Sequence, residues 1–228
     1  MADEVMLITG ASSGIGAATA RAAVEQGWRV VLGARSEERL EELVSSLGAE
    51  RALARRCDVT AFEDQEALVG AALERFGQLD AVFANAGFGA KRGFLEETVE
   101  HWRAMVETNV LGVAFTIRAA LPHFRDRGRG HFLLTSSVAG RRPLPGSLYS
   151  ATKFAVTAMG HALRGELAQT DIRVTLIEPG MVDTPFFDSR PKDALKDEDV
   201  AGTVMFAVSQ PPHVEINEIL MRPVHQSG

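Results

Sequence analysis

The chain has 228 residues, of which 46% are hydrophobic and 24% are charged, and its formal net charge is −6. This is the composition of an ordinary globular protein, and its acidic balance argues against nucleic acid as a partner, because phosphate binding needs a basic face. Cys57 is the only cysteine, which excludes an internal disulfide and fits a reducing compartment, and no metal site is predicted.

Short aliphatic runs alternate with longer segments of helical spacing along the chain. The short runs predict strands buried on both faces, and a glycine after a helical segment predicts where that helix ends. The predicted strands are 5–9, 29–34, 52–57, 81–84, 131–135, 172–177 and 218–221. The predicted helices are 15–26, 37–47, 62–76, 99–124, 149–168 and 200–209.

This alternation indicates βαβ units and a parallel sheet with helices on both faces. We therefore predict the α/β class, with a single Rossmann-type doubly wound parallel β-sheet of about seven strands in one domain over 1–228. Residues 183–199 hold two prolines and many charges, and they predict an irregular, mobile segment.

The N-terminus predicts a cytoplasmic protein without a membrane partner. MADEVMLITG is acidic ahead of a short apolar run, whereas a secretory signal begins with a basic region. No apolar run reaches the roughly 18 residues of a membrane helix.

The first predicted strand ends in TGASSGIG, residues 9–16, ahead of an Ala-rich helix. Glycine lets backbone N–H groups approach a phosphate, and a helix N-terminus favours negative charge. The spacing differs from the common G-x-G-x-x-G, and Ala17 stands where a Walker loop needs lysine. Because the loop lies in the first βα unit, we interpret it as a dinucleotide-binding turn rather than a tight turn with incidental glycines. The candidate contacts are Gly10, Ser12, Ser13, Gly14, Ile15 and Gly16.

Arg35 ends the second strand, where many dinucleotide sites carry an acid for the ribose 2′-hydroxyl. An acid would repel a 2′-phosphate, whereas a guanidinium can bind one in a forked geometry. The site therefore predicts NADP(H), with NAD(H) second. The alternative is that Arg35 only caps a surface turn and pairs with Glu37 or Glu38.

Tyr149 is the only tyrosine in the chain, and Lys153 stands four positions after it. Residues at i and i+4 share one helix face. A nearby ammonium stabilises a phenolate and lowers its pKa, which would suit an acid/base catalyst. The alternative is an ordinary amphipathic residue beside a surface lysine.

Seven short motifs resemble the short-chain dehydrogenase/reductase family, over nearly the whole chain from Val5 to Pro223. Each is weak alone, but seven in the expected order are highly specific. The tail VEINEILMRPVHQSG further resembles the family's compact NADP-dependent branch, which acts on 3-hydroxy acids, semialdehydes and related small carbonyls. The motifs are TGASSGIG at 9–16, CDVT at 57–60, NAG at 85–87, TNVLG at 108–112, SSVAG at 136–140, YSATK at 149–153 and EPGMVDT at 178–184.

The resemblance implies a catalytic role for four residues. Tyr149 would be the general acid/base, and Lys153 would lower its pKa and bind the nicotinamide ribose. Ser137 would hydrogen-bond the substrate carbonyl, although the stretch from Ser137 to Tyr149 is one residue shorter than the family's commonest form, and Ser136 is adjacent. Asn109 would hold a water that links Lys153 to solvent. An Asn within a helix needs some such reason, because it is a poor helix former; the alternative is a side chain facing solvent.

The resemblance also implies further cofactor contacts. Asp58 and Val59 would lie by the adenine, and Thr184 would hydrogen-bond the nicotinamide carboxamide. The remaining contacts are Asn85, Ala86, Gly87, Tyr149, Lys153, Pro179, Gly180 and Val182.

Residues 181–199 would form a mobile substrate lid within the domain. Phe186 and Phe187 suggest an apolar wall, and Arg190, Lys192 and Lys196 could attract a carboxylate. A solvated loop balanced by Asp188, Asp193 and Asp197 is the interpretation that we favour for these charges. Arg141 and Arg142 either border the pocket or are plain surface charge.

Two classes of function fit these residues. The first is an NADP(H)-dependent oxidoreductase that interconverts a small carbonyl compound and its alcohol. The second is a non-catalytic NADP(H)-binding redox sensor, which needs the glycine loop and Arg35 but not Asn109, Ser137, Tyr149 and Lys153 together. Relatives pair into homodimers, often homotetramers, through the helices of Val99 and of Tyr149.

Overall fold

The computed structural model describes residues 3–186 and 191–226. The strands are β1 (Val5–Thr9), β2 (Arg29–Ala34), β3 (Ala52–Arg56), β4 (Ala81–Ala84), β5 (Arg129–Thr135), β6 (Asp171–Pro179), β7 (Val182–Asp183), β8 (Leu195–Lys196) and β9 (Glu218–Met221). The α-helices are α1 (Gly14–Glu25), α2 (Glu37–Leu47), α3 (Phe62–Phe76), α4 (Val99–Val106), α5 (Gly112–Arg127), α6 (Leu148–Glu166) and α7 (Asp197–Val208).

Seven strands form one sheet in the order β3-β2-β1-β4-β5-β6-β9, and every neighbouring pair is parallel. The predicted fold class is confirmed, and the ends of the seven predicted strands move by at most two residues. The chain crosses from β3 to β4 on the far side of β1. Ligands of such sheets bind where the strand order reverses, outside the carboxyl ends of the strands.

Both faces of the sheet are buried. Successive residues of a strand point to opposite faces, so neighbouring residues of one strand belong to different cores. In β1, Met6 and Ile8 join a core cluster with side chains of α1, α2 and α7. Val5 and Leu7 join a second cluster with side chains of α3, α5 and α6. This two-sided burial explains why the strands carry continuous apolar runs rather than alternating ones.

The predicted helix 99–124 is a longer segment with a π-helical turn, Glu107–Leu111, between α4 and α5. Such turns are rare and occur mostly at functional sites. Helical spacing alone does not reveal the turn, because the residues on both sides of it keep a helical pattern.

By length and composition alone, the segment Val99–Arg127 is apolar enough to cross a membrane, with a hydropathy of 1.3 in its most apolar window. The sequence expectation of no such segment is therefore too strict. The α5 part, however, packs against α3, β4 and β5, and the core helix of a soluble protein passes the same test.

Residues 183–186 and 191–199, the described parts of this segment, are more regular than predicted. β7 and β8 form a small parallel sheet, and α7 begins three residues before the predicted start. The Asp199 carboxylate accepts a hydrogen bond of 2.8 Å from the Lys196 backbone N–H, and the first turn of α7 carries three acidic residues. Negative charge is favourable at a helix N-terminus, which explains the early start.

His131 of β5 is buried as a neutral imidazole. Thr175 donates its hydroxyl hydrogen to the Ile216 carbonyl (2.6 Å), so it accepts from Nε2 of His131 (2.8 Å). Burial lowers the pKa of His131 from 6.5 to about 3. Below pH 6.5 the unfolded chain therefore takes up a proton that the folded chain does not.

We predict that the free energy of unfolding falls by about 1.4 kcal/mol per pH unit, from His131 alone, as the pH drops from about 6 towards 3. His131→Gln retains an amide donor for Thr175 and removes the contribution of His131 to the pH dependence of the free energy of unfolding. Urea unfolding across this pH range checks it. A control variant, His213→Gln, exchanges an exposed histidine and should keep the wild-type slope. An unchanged slope in His131→Gln would contradict the burial argument.

Candidate functional site

The glycine loop closes against β4 at the carboxyl edge of the sheet. Gly10 has φ of 66°, and a Cβ there would lie 2.8 Å from Cα of Ala86. A Cβ on Gly16 would collide with the Gly10 carbonyl oxygen, and Gly14 has φ of 52°. No side chain caps α1 at Ser13, and its first turn carries no acidic residue. Ser12 and Ser13 are only partly buried, so this backbone cradle fits a bound phosphate.

Thr9 and Asn85 tie the ends of three strands together. The Thr9 hydroxyl accepts from the backbone N–H groups of Asn85 (3.0 Å) and Ala86 (3.2 Å). The Asn85 amide donates to the Thr9 carbonyl (3.1 Å) and accepts from the Thr135 hydroxyl (3.4 Å). The Asn85 side chain is therefore occupied within the protein, and Gly87 follows it into the crevice.

Arg35 is exposed at the end of β2. Within residues 3–186 and 191–226 it forms no ion pair with Glu37 or Glu38, so the alternative interpretation has no support. Hydrogen bonds from the Thr60 backbone N–H and hydroxyl hold the pKa of Asp58 below its usual value. The nearby guanidinium of Arg35 lowers the pKa of Asp58 further.

Two predicted cofactor contacts differ in burial. Val59 is buried and packs against Gly112, where a Cβ would lie 2.8 Å from Cγ2 of Val59, so only its backbone is available to a ligand. Ile15 is partly buried and packs against the core cluster that includes side chains of α1.

Lys153 is buried beside Tyr149 on α6. Its Nζ donates to the Thr135 carbonyl (2.7 Å) and lies 5.6 Å from the centre of the Tyr149 ring. Burial lowers the pKa of Lys153 from 10.5 to about 8. Burial raises the pKa of Tyr149 from 10.0 to about 12, against a smaller opposite effect of its hydrogen bond with Ser137. Burial is thus the largest effect on the phenol pKa, and the net shift is upward.

The two adjacent serines face different neighbours. Ser137 donates to the Pro179 carbonyl (3.2 Å) and hydrogen-bonds the side chain of Tyr149. Ser136 is 1% exposed and donates to the backbone carbonyl of Lys153 (3.0 Å), on the inner side of α6. Of the two serines, Ser137 is the one beside the phenol.

Asn109 lies in the π-helical turn and is buried. Its amide accepts from the Phe88 N–H (3.0 Å) and donates to the Phe88 carbonyl (2.9 Å). It also donates to the Thr152 hydroxyl (3.1 Å), one position from Lys153. A solvent-facing side chain is therefore excluded, and these bonds offset the poor helix propensity of asparagine.

The segment after β6 covers the glycine loop. The Thr184 side chain lies 3.1 Å from the position of a Cβ on Gly14. Gly180 donates its N–H to the Met221 carbonyl (2.7 Å), and Val182 is buried in β7. Of the predicted contacts in this segment, Pro179 thus touches Ser137 and Thr184 touches the glycine loop.

Phe186 stands edge-on to Tyr149, with 5.5 Å between the ring centres. A Cβ on Gly89 would lie 2.7 Å from the Phe186 ring, so the absence of a side chain there makes room for it. The predicted lid residues Phe187, Asp188 and Arg190 lie outside the described residues.

Thr9, Thr135 and Thr152 hold the site residues in place, but the sequence reasoning did not single them out. Each acts through a hydroxyl or carbonyl bond to a residue far away in the chain. Thr9 begins the motif TGASSGIG and Thr152 lies in the motif YSATK. Only their hydrogen bonds in the fold reveal that they hold Asn85 and Asn109 in place.

A family model described as "short chain dehydrogenase" matches residues 4–195. An uncharacterized oxidoreductase of Staphylococcus haemolyticus is 40% identical over 226 residues, which cover 96% of this chain and 97% of that protein. One from Staphylococcus aureus is 36% identical over 228 residues, covering 98% of this chain and 99% of that protein.

Two solved structures are similar over nearly the whole chain. An alcohol dehydrogenase from the archaeon Thermococcus sibiricus, complexed with 5-hydroxy-NADP, has a TM-score of 0.91 and 35% identity, covering 99% of this chain and 98% of that one. Serine dehydrogenase from Escherichia coli has a TM-score of 0.90 and 34% identity, covering 98% of this chain and 100% of that one.

We predict that Lys153→Met stabilises the protein by about 1–3 kcal/mol at neutral pH, because it removes a buried ammonium at the cost of one hydrogen bond. Since the folded pKa of about 8 lies below the unfolded value of 10.5, the unfolded wild type holds more protons in between. Wild-type stability therefore rises through this window, and the gain from the variant shrinks. Urea unfolding from about pH 7 to about pH 10 measures both effects.

The matched control is Lys91→Met, which exchanges an exposed lysine and should leave stability nearly unchanged. A Lys153→Met variant that is less stable at neutral pH, with the same pH dependence of stability as the wild type, would contradict the lowered pKa of Lys153.

Proposed function

The chain belongs to the short-chain dehydrogenase family, and from this membership and the site we propose that it is an NADP(H)-dependent oxidoreductase interconverting a small carbonyl compound and its alcohol. One observation carries the proposal. Ser137, Tyr149 and Lys153 meet in one cluster, in which Ser137 and Lys153 are buried and Tyr149 is partly buried, and Asn109 braces that cluster through Thr152. A cofactor-binding sensor would not need this cluster.

Tyr149 is the proposed general acid in the reducing direction. The substrate oxygen takes the phenol proton while the Ser137 hydroxyl stabilises the negative charge that develops on it. Burial favours the neutral phenol at pH 7, which is the form that can donate. The Lys153 ammonium then stabilises the phenolate left behind. In the oxidising direction the phenolate takes the proton from the alcohol.

A nicotinamide dinucleotide would supply or accept the hydride when bound. The residues present fit such a group, because Gly10 and Gly16 have no room for a side chain and Gly14 has a positive φ, so backbone N–H groups line the cradle. Similar structures are complexed with NADP+ in one case and with NAD in another. The exposed guanidinium of Arg35 at the end of β2 supports NADP(H).

The proposed substrate is a small hydroxy compound or its carbonyl form. Phe186 beside Tyr149 provides an apolar wall to the space in front of the phenol. Similar structures include an alcohol dehydrogenase and a serine dehydrogenase. Serine, 3-hydroxy acids and simple secondary alcohols, with their carbonyl forms, are therefore the first panel to assay.

A homodimer or homotetramer is the proposed assembly. Exposed apolar side chains lie on the segment from α4 to α5 and on α6, which carries Tyr149. Val99 is 60% exposed, Leu111 43% and Phe154 41%. Apolar patches of this kind commonly mark contacts between proteins. The cytoplasmic location stays a prediction from the sequence.

We predict that Tyr149→Phe lowers turnover on this panel by about a hundredfold or more, because the proton donor is lost. The ring remains, so thermal stabilisation by NADPH should stay near wild type. NADPH absorbance follows turnover, and the control Phe206→Tyr changes an exposed position on α7 by the reverse exchange. Wild-type turnover in Tyr149→Phe would overturn the mechanism.

We predict that NADPH raises the melting temperature more than NADH does at equal concentration, because Arg35 binds the 2′-phosphate that only NADPH carries. A ligand that binds only the folded state stabilises it by RT ln(1 + [L]/Kd), so the ligand with the lower Kd gives the larger shift. Arg35→Ala should weaken NADPH binding by about tenfold to a hundredfold and leave NADH binding unchanged. Arg103→Ala, at an exposed site on α4, is the control. A larger shift with NADH would reverse the proposed preference.

A further inference from the structure

A short 3₁₀ turn, Val138–Gly140, connects Ser137 to Arg141. Ser137 caps its beginning, since its hydroxyl accepts from the Ala139 N–H (3.1 Å). Arg141 closes its end, since its N–H donates to the Val138 carbonyl (3.0 Å). A displacement at either end of so short a turn moves the other end as well.

Two consecutive residues of β6 hold the two ends of this turn. The Pro179 carbonyl accepts from the Ser137 hydroxyl (3.2 Å). Nε of Arg141 lies 2.8 Å from each carboxylate oxygen of Glu178. The turn is therefore fixed to one short stretch of strand at both ends.

The Glu178 side chain is 0% exposed, whereas that of Arg141 is 31% exposed. Thr157 of α6 also donates to the Glu178 carboxylate (3.3 Å). A buried carboxylate holds its partner firmly, because no water can replace the guanidinium. Arg141 further pairs with Glu218 of β9, which His161 also contacts.

The turn also packs directly on α6. A Cβ on Gly140 would lie 2.8 Å from the Lys153 carbonyl oxygen and 2.5 Å from the Ser136 hydroxyl. The turn therefore lies in direct contact with the helix that carries Tyr149 and Lys153.

We propose that the ion pair of Arg141 with buried Glu178 is a positioning pair that holds the Ser137 hydroxyl against Tyr149. This inference rests on the role of Ser137 in the proposed function. Neither Arg141 nor Glu178 touches the phenol in this arrangement, so the pair acts through the turn.

The test uses the double variant Arg141→Met/Glu178→Gln, which removes both charges and leaves no unpaired buried carboxylate. It is compared with Ser137→Ala and with the triple variant. Arg125→Met, which breaks the exposed ion pair of Arg125 with Glu166, is the matched control.

The first readout needs no substrate. Tyr149 is the only tyrosine, so protein labelled with ¹³C at the tyrosine ζ carbon gives one resonance from this phenol. Because Ser137 hydrogen-bonds the phenol, Ser137→Ala should shift that resonance. The double variant should shift it the same way, the triple variant should match Ser137→Ala, and Arg125→Met should leave it at the wild-type position. A wild-type resonance in the double variant would overturn the inference.

The second readout is kcat on the substrate panel. The double variant should lose about tenfold to a hundredfold in kcat where Ser137 is present, and nothing further in the Ser137→Ala background. Thermal stabilisation by NADPH should be unchanged. An equal loss in both backgrounds would show a general structural effect and sink the inference alone. If Ser137→Ala itself changes neither kcat nor the resonance, the proposed role of Ser137 fails, and the inference fails with it.

Discussion

The hydrogen bond from the buried Lys153 ammonium to the Thr135 carbonyl, 2.7 Å long, joins α6 to the carboxyl end of β5. Tyr149 lies one turn earlier on the same helix, so the bond also places the phenol. Ser137 follows Thr135 by two positions and meets Tyr149 from the strand side. This lysine is only 5% exposed, and its burial is why its pKa lies well below that of an exposed amine.

Buried polar groups gather at this edge of the sheet, and each has a partner within the fold. Asn109 bonds to Phe88, and Glu178 bonds to Arg141 and Thr157. A polar group removed from water is costly unless such bonds replace the lost hydration. The polar network and the two apolar cores thus perform different tasks: the cores stabilise the sheet, and the network determines where the side chains of the site lie.

The parallel sheet could be predicted closely because its strands are buried on both faces, which leaves continuous apolar runs in the sequence. The described parts of segment 183–199 were harder to predict, since their regular structure comes from pairing between β7 and β8 and from a helix start supported by Asp199. Prolines and charges are typical of a loop, whether or not distant residues of the segment pair with each other. The pairing of Arg141 could not be predicted for the same reason, because its partner Glu178 stands 37 positions away.

The sequence by itself determined what depends on neighbours along the chain. It specified the glycines of the cradle, the buried strands and the i, i+4 placement of Tyr149 and Lys153, because these follow from local backbone geometry and periodicity. Only the tertiary structure decided which serine faces the phenol and why Asn109 interrupts a helix. It also placed Tyr149 where burial raises its pKa. These depend on burial and on contacts between distant segments, which no local pattern encodes.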